Sequence, residues 1–222
     1  MPYQITTIPL KTGIASVNCY LIKTGSGFIL IDTGLSKSRS ALEARLDAAG
    51  CRPGDLALIV ATHGDFDHIG NCRYLRDKFK AKITMHCDDV GMAERGEMFW
   101  NRKKGNFIIR AIANVMFKLP PSDRFSPDIL LKDGDGLVEY GLKAVVLYIP
   151  GHSKGSIGVL TENGDLFCGD LFENIRKPAL SSLMDDPEAG NSSLGKLENS
   201  LVHTVYPGHG NSFLMKEIPR GQ

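Results

Sequence analysis

The chain has 222 residues, 42% of them hydrophobic, and a formal charge of +1. That is enough for one sizeable core, in one domain or two tightly packed halves. A near-neutral balance makes no electrostatic case for nucleic acid or an acidic membrane as partner. The opening residues Met1 to Thr7 lack the basic and long apolar regions of a signal peptide. No apolar run approaches the roughly 20 residues of a spanning helix, so a membrane location is not expected. Five cysteines, at 19, 51, 72, 87 and 168, include no Cys-x-x-Cys pair. They fit reduced thiols in a cytoplasmic protein.

Residues 3–10, 17–23 and 27–32 read as strands, joined through Lys11-Thr12-Gly13 and the turn Thr24-Gly25-Ser26-Gly27. Asp32-Thr33-Gly34 closes the third, and Asp32 suits either orientation of a nearby ligand loop or capping of the next element. Ser38 to Ala49 is amphipathic, with Leu42, Leu46 and Ala49 on one face and Gly50 at its end. Leu56-Ala57-Leu58-Ile59-Val60 is short, apolar and partly β-branched, which predicts a buried strand. Apolar residues at 69, 72, 75 and 79 then predict a helix over Ile69 to Phe79.

Between that strand and helix lie His63, Asp65, Asp67 and His68, two imidazoles and two carboxylates within six positions. A strand-to-helix loop lets rigid flanking elements aim such groups at a shared ion. The donor set suits zinc, iron or manganese. Ala81 to His86 forms the next strand, and His86 is expected to serve a structural or surface role.

Residues 88–127 carry Met92, Met98, Phe99, Trp100, Phe107, Ile112, Val115 and Phe117 mostly at helical spacing, ending at Pro120-Pro121. They read as a helical insertion placed to act as a lid. Over 91–127 seven cations (Arg95, Arg102, Lys103, Lys104, Arg110, Lys118, Arg124) face Glu94, Glu97 and Asp123, leaving +4. Such a cap would attract an anionic small-molecule substrate with an apolar portion. A helical hairpin with its own core and solvated charges fits the same pattern, as does a membrane-surface helix.

Beyond Asp128, Ile129 to Lys132 and two strands within 137–149 lead to Pro150-Gly151-His152. Ser156 to Thr161 and Asp165 to Gly169 form a hairpin about Glu162-Asn163-Gly164, ending at Asp170. Residues 172–193 read as loop, Ser193 to Leu201 as a short helix, and His203 to Tyr206 as the last strand before Pro207-Gly208-His209. His152, Asp170 and His209 each follow an apolar run with a glycine beside them, which permits a tight turn. Cys168 and His203 sit among core-like neighbours and read as structural.

This series resembles the metallo-β-lactamase superfamily, whose signature is Thr-His-x-His-x-Asp-His followed by a separate His, Asp and His. The match runs from Val17-Asn18-Cys19-Tyr20-Leu21-Ile22 and Ile31-Asp32-Thr33-Gly34 to the final Pro-Gly-His. The resemblance implies an α+β fold, a four-layer αββα sandwich of two mixed sheets. It implies two divalent metal ions as cofactors: one on His63, position 65 and His152, the other on Asp67, His68 and His209, with Asp170 bridging. One departure stands out, since the usual second histidine is Asp65.

The resemblance further implies a metal-dependent hydrolase of a small ester, thioester, lactone or phosphoester. Asp67 would then also guide a proton as the catalytic residue. Tyr20, Ser153 and Lys154 are candidate substrate contacts. Two divalent ions carry +4, which Asp65, Asp67, Asp170 and a hydroxide cancel, whereas a histidine at 65 would leave +1. The extra carboxylate favours iron or manganese over zinc. A non-haem di-iron oxidoreductase resembling the flavodiiron domain, where a carboxylate also replaces that histidine, is the alternative. A binding protein with a degenerate site is a third reading.

Overall fold

Side chains along β-strands point alternately to two faces, and here both faces are apolar, so each sheet must be covered twice. A computed structural model describes residues 3–11, 16–102 and 118–219. β1 (Gln4–Lys11), β2 (Ser16–Thr24) and β3 (Gly27–Ile31) form an antiparallel meander. β4 (Leu56–Val60), β5 (Lys82–His86) and β6 (Ile129–Leu131) extend it in parallel, giving the order β1-β2-β3-β4-β5-β6. Parallel neighbours need long crossovers. These carry α1 (Arg39–Ala48), α2 (Phe66–Ile69), α3 (Cys72–Phe79) and α4 (Val90–Arg95).

The second sheet comprises β7 (Ala144–Tyr148), β8 (Ile157–Thr161), β9 (Asp165–Asn174), β11 (Thr204–Gly210) and β12 (Phe213–Leu214), in the order β12-β11-β9-β8-β7. The two-residue β10 (Ala179–Leu180) pairs with β9. β11 runs parallel to β9, its crossover being α5 (Pro187–Glu198), while the other pairs are antiparallel.

Three buried clusters follow from the alternation. Val17, Cys19 and Leu21 of β2 pack with Leu42 and Leu46 of α1 and Cys72 and Leu75 of α3. The intervening Tyr20 and Ile22 face the other way, joining Ile29, Ile31, Leu58 and Val60 against Val146, Val159 and Phe167 of the second sheet. Leu166, Cys168, Phe172 and Val205 cover the outer face of that sheet with Leu197 of α5. The result is helix, sheet, sheet, helix: the α+β sandwich expected. Truncating a fully buried residue such as Leu46 to alanine costs about 2–5 kcal/mol in such an interior. All five cysteines are unpaired, and Cys168 lies in the strand with burial pushing its thiol up.

Several elements differ from expectation. The helix read over 69–79 is two, α2 starting inside the His/Asp motif and α3 after a break at Gly70. A Cβ at Gly70 would collide with Ser36 and lie 2.6 Å from the Gly34 carbonyl, so that turn presses on the preceding loop. Residues 137–149 supply one strand, because Val138–Tyr140 forms a 3-10 turn closed by Gly141 at φ 79°. The stretch 172–193 is not all loop. β9 continues to Asn174, and α5 begins at Pro187, six residues earlier than expected. Its start is set by Asp186, whose Oδ1 accepts from Ala189 N at 3.0 Å, with Pro187 and Glu188 in the first turn. In the stretch 88–127, α4 is followed by the irregular Glu97–Arg102. The helical reading of 103–117 lies outside the described residues.

Candidate metal centre

All the candidate ligands sit at one edge of the sandwich. Asp65 ends the loop after β4 in an extended conformation and caps α2, so Asp67 and His68 fall in its single turn. His152 follows β7 after Gly151, Asp170 lies within β9, and His209 lies within β11. β11 reaches His209 through two register shifts against β9, at Tyr206/Pro207 and Pro207/His209. Gly208 makes that approach possible, since a Cβ there would collide with Asp170 Oδ1 and come 2.7 Å from His68 Cε1.

His63, His152 and Asp170 offer ligand atoms within 4.8 Å of one another, and so do Asp67, His68 and His209. His68 Nε2 is 3.3 Å from Asp170 Oδ1, and His209 Nε2 is 3.3 Å from Asp170 Oδ2. His152 Nε2 is 3.8 Å from Asp170 Oδ2, and His209 Nε2 is 3.6 Å from Asp67 Oδ2. Asp65 joins the first group, its Oδ2 being 3.0 Å from His152 Nε2 and 3.7 Å from His63 Nε2. Two donors on one tetrahedral ion with bonds of ~2.1 Å stand about 3.4 Å apart, so these spacings suit shared ions. The cluster thus gathers all seven residues, with Asp170 between the groups.

The chemistry of unsatisfied atoms agrees. His63 Nε2, His68 Nε2 and Asp170 Oδ1 are buried with no hydrogen-bond partner among the described residues. Such atoms are costly unless something binds them. Each imidazole is meanwhile fixed through its other nitrogen. His63 Nδ1 is 3.0 Å from Thr62 Oγ1, His68 Nδ1 is 2.8 Å from Asp32 Oδ2, and His152 Nδ1 is 2.6 Å from the Leu183 carbonyl. His209 Nδ1 is 2.7 Å from the Ser16 carbonyl. An Nδ1–H donated to these acceptors leaves each Nε2 lone pair facing the centre.

Asp32 therefore orients the loop rather than capping the next element. Its Oδ1 and Oδ2 also accept from Thr62 N and Thr62 Oγ1, both at 2.8 Å. It holds this position from the left-handed region, at φ 57°. Asp89 escaped the sequence reading. Fully buried, it accepts from Gly64 N (2.9 Å), Ser153 Oγ (2.6 Å) and Gly155 N (2.8 Å), tying the His63 loop to the His152 loop. An acidic pair at a strand end, Asp88-Asp89, was its one visible trace.

Electrostatics in the cluster are tightly coupled. Burial, with His68 and His152 nearby, holds His63 well below its ordinary pKa. Burial opposes ionisation of Asp65, but the Arg102 guanidinium together with His152 and His63 outweighs it and keeps the carboxyl far below the usual range. Burial likewise opposes protonation of His209, yet Asp170 pushes it up to about 9. Burial raises the Asp67 carboxyl.

A cleft of about 550 Å³ opens over the cluster, with Phe66, Met98, Phe99, Leu183 and Met184 as apolar wall and Asp65, Asp67, Arg102, His152, Asp170 and His209 in its polar part. The expected substrate contacts are placed elsewhere. The Tyr20 hydroxyl is buried between the sheets and donates to the Pro207 carbonyl at 2.6 Å. Ser153 is turned inward to Asp89, and Lys154 is exposed, outside the cleft lining. The wall instead comes from segments that sequence periodicity does not bring together.

The family model of the metallo-beta-lactamase superfamily matches residues 12–209. The chain belongs to that superfamily. As a member of this group of metallo-hydrolases it is an enzyme, of a kind that typically binds divalent metals. The acyl-coenzyme A thioesterase MBLAC2 of Bos taurus is 29% identical over 219 residues, which cover 88% of this chain and 74% of that protein. The probable metallo-hydrolase MJ0888 of Methanocaldococcus jannaschii is 28% identical over 201 residues, 88% of each chain. The crystal structure of TTHA1623 in a di-iron-bound form shares 26% identity, with a TM-score of 0.71 over 94% of each chain. Among the described residues, no helix is long and apolar enough to cross a membrane.

Proposed function

We propose that the chain is a dinuclear metal-dependent hydrolase acting on a thioester or ester with an apolar acyl group. The observation that carries this is the pair of ligand groups meeting at Asp170 beneath an apolar-walled cleft. His63, Asp65 and His152 would hold one ion, Asp67, His68 and His209 the other, with Asp170 shared. When bound, two divalent ions lower the pKa of a water towards ~7 and polarise a substrate carbonyl.

The protein's own residues do the rest. Phe66, Phe99, Leu183 and Met184 take the acyl portion out of water and leave its carbonyl over the polar floor. Asp67 is half-buried and lines that floor, where it exchanges a proton with the attacking water and the leaving group. Three carboxylates beside four imidazoles suit iron or manganese as well as zinc. The five unpaired cysteines suit a reducing compartment such as the cytoplasm.

MBLAC2 is named an acyl-coenzyme A thioesterase, which supports the thioester within the wider ester, lactone and phosphoester range. The test is a panel of acyl thioesters, aryl esters, lactones and phosphoesters, run after reloading with zinc, manganese or iron(II). Hydrolysis of apolar acyl thioesters or esters is expected, falling at least about 100-fold in His152→Ala. Turnover of phosphoesters alone would refute the acyl reading. A second reading, a di-iron oxidoreductase, has in its favour the carboxylate at 65 and the di-iron form of TTHA1623. Reductant-dependent consumption of oxygen or nitric oxide without hydrolysis would favour it.

A further inference from the structure

Arg102 enters the centre from the stretch 88–127, where the sequence showed only one cation among seven. It is buried, its side chain 10% exposed. Nη2 lies 2.7 Å from Asp65 Oδ1 and 2.9 Å from Oδ2. The same nitrogen is 3.3 Å from His152 Nε2, the lone pair that faces the centre. Asp89 and Asp185 add favourable charge around the guanidinium.

The backbone that delivers Arg102 is fastened to the same framework. Asn101 Nδ2 donates to the Asp88 carbonyl and, at 3.3 Å, to Asp89 Oδ1. Trp100 hydrogen-bonds through its backbone N to the Glu97 carbonyl at 3.0 Å and stacks on the Arg95 guanidinium at 3.7 Å. Asp89 therefore joins the Arg102 segment to the loops that carry His63 and His152.

Two consequences follow for the metal position beside Asp65. The cluster's formal charge with two divalent ions and a hydroxide is zero when Asp65 is counted alone, and Arg102 returns it to +1. That is the charge a histidine at position 65 would leave. A guanidinium 3.3 Å from His152 Nε2 also repels an incoming cation, so ion and guanidinium cannot both face that nitrogen.

We propose that Arg102 is a positioning residue for the first metal position: it neutralises Asp65, shares that carboxylate with the ion, and withdraws from His152 when the ion binds. The proposal rests on the reading of His63, Asp65, His152 and Asp170 as a metal site. It makes loading of that site visible in the segment Glu97–Arg102.

Four full-length proteins test this: the wild type, Arg102→Gln, Asp65→His and the double variant, all stripped and titrated with zinc(II) alone. Affinities come from competition with a chromophoric chelator, stoichiometry from elemental analysis, and segment movement from Trp100, the only tryptophan. Arg102→Gln is expected to bind the first-position ion about tenfold tighter, since a competing cation is gone. Asp65→His should bind it about tenfold more weakly, because it leaves the arginine buried without its partner. The double variant should bind about tenfold tighter than wild type, where additive effects would return it to wild-type affinity, because Arg102 competes more strongly once Asp65 no longer neutralises it. Zinc should change Trp100 emission in the wild type and not in Arg102→Gln. Arg102→Lys keeps the charge and covers the case in which glutamine fails to fold; it should bind within about threefold of wild type. Additive effects, or an unaltered Trp100 response in Arg102→Gln, overturn the proposal alone. Failure of every protein to take up zinc overturns the metal-centre reading and this proposal with it.

Discussion

The carboxylate of Asp89 accepts hydrogen bonds from the backbone amides of Gly64 and Gly155, from the Ser153 hydroxyl and, at 3.3 Å, from Asn101 Nδ2. Asp89→Ala would leave the two backbone amides buried and unpaired, while Ser153 Oγ keeps Ser156 Oγ at 2.8 Å. At roughly 1–3 kcal/mol for each unsatisfied group, partly relieved by water, the loss is about 3 kcal/mol. For a chain of this size that lowers the melting temperature by roughly 6–12 °C, measurable in a thermal melt. A fall of less than about 2 °C would show that Asp89 does not hold the loops together. The contrasting case is Tyr20, whose hydroxyl donates to the Pro207 carbonyl. Tyr20→Phe leaves that carbonyl bonded to Asn18 Nδ2 at 3.1 Å, so it should cost only about 1 kcal/mol.

At the scale of an element, β11 matters most because its irregularity carries His209 inward. Its two register shifts against β9 bring His209 opposite Glu173, next to the part of β9 that holds Asp170. Side chains of β2 fix the bend: Asn18 Nδ2 donates to the carbonyls of Pro207 and Gly210, the latter at 2.7 Å. The bend works only with a bare Cα at 208. Gly208→Ala would push on Asp170 and His68, so the expected result is a loss of metal affinity of at least about tenfold with an unchanged far-UV circular dichroism spectrum. Full metal content in the variant, by elemental analysis, would mean that the strand has room to shift.

At the scale of the molecule, three apolar clusters close the four layers among the described residues, and none of these includes a candidate ligand. Phe167, Phe172, Leu42 and Leu46 are each buried to 0% exposure, so the packing does not wait for an ion. Chelator-stripped protein is accordingly expected to stay folded. Restoring metal at about 100 times its dissociation constant should add about 2.7 kcal/mol and raise the melting temperature by roughly 5–10 °C. Collapse of the far-UV spectrum on stripping would show instead that the centre is part of the folding nucleus.

Much of this was readable along the chain because it is periodic or local. Alternation in β2 to β4 determines two apolar faces, and the His63-to-His68 run, His152, Asp170 and His209 stand out by donor type and adjoining glycine. Boundaries were less visible where a single backbone feature decides them, as Gly141 ends a turn that looks like strand and Asp186 starts a helix inside a polar stretch. The roles of Asp89 and Arg102 and the inward rotation of Ser153 were not legible, beyond the bare acidic pair Asp88-Asp89 and one cation among seven. Each depends on groups that are 12 to 66 positions apart in sequence and meet only after the sheets close. Residue type and spacing settle which donors a chain can offer an ion. Which cation stands beside them, and which side chains reach the cleft, depends on contacts between segments whose sequences carry no record of their partners.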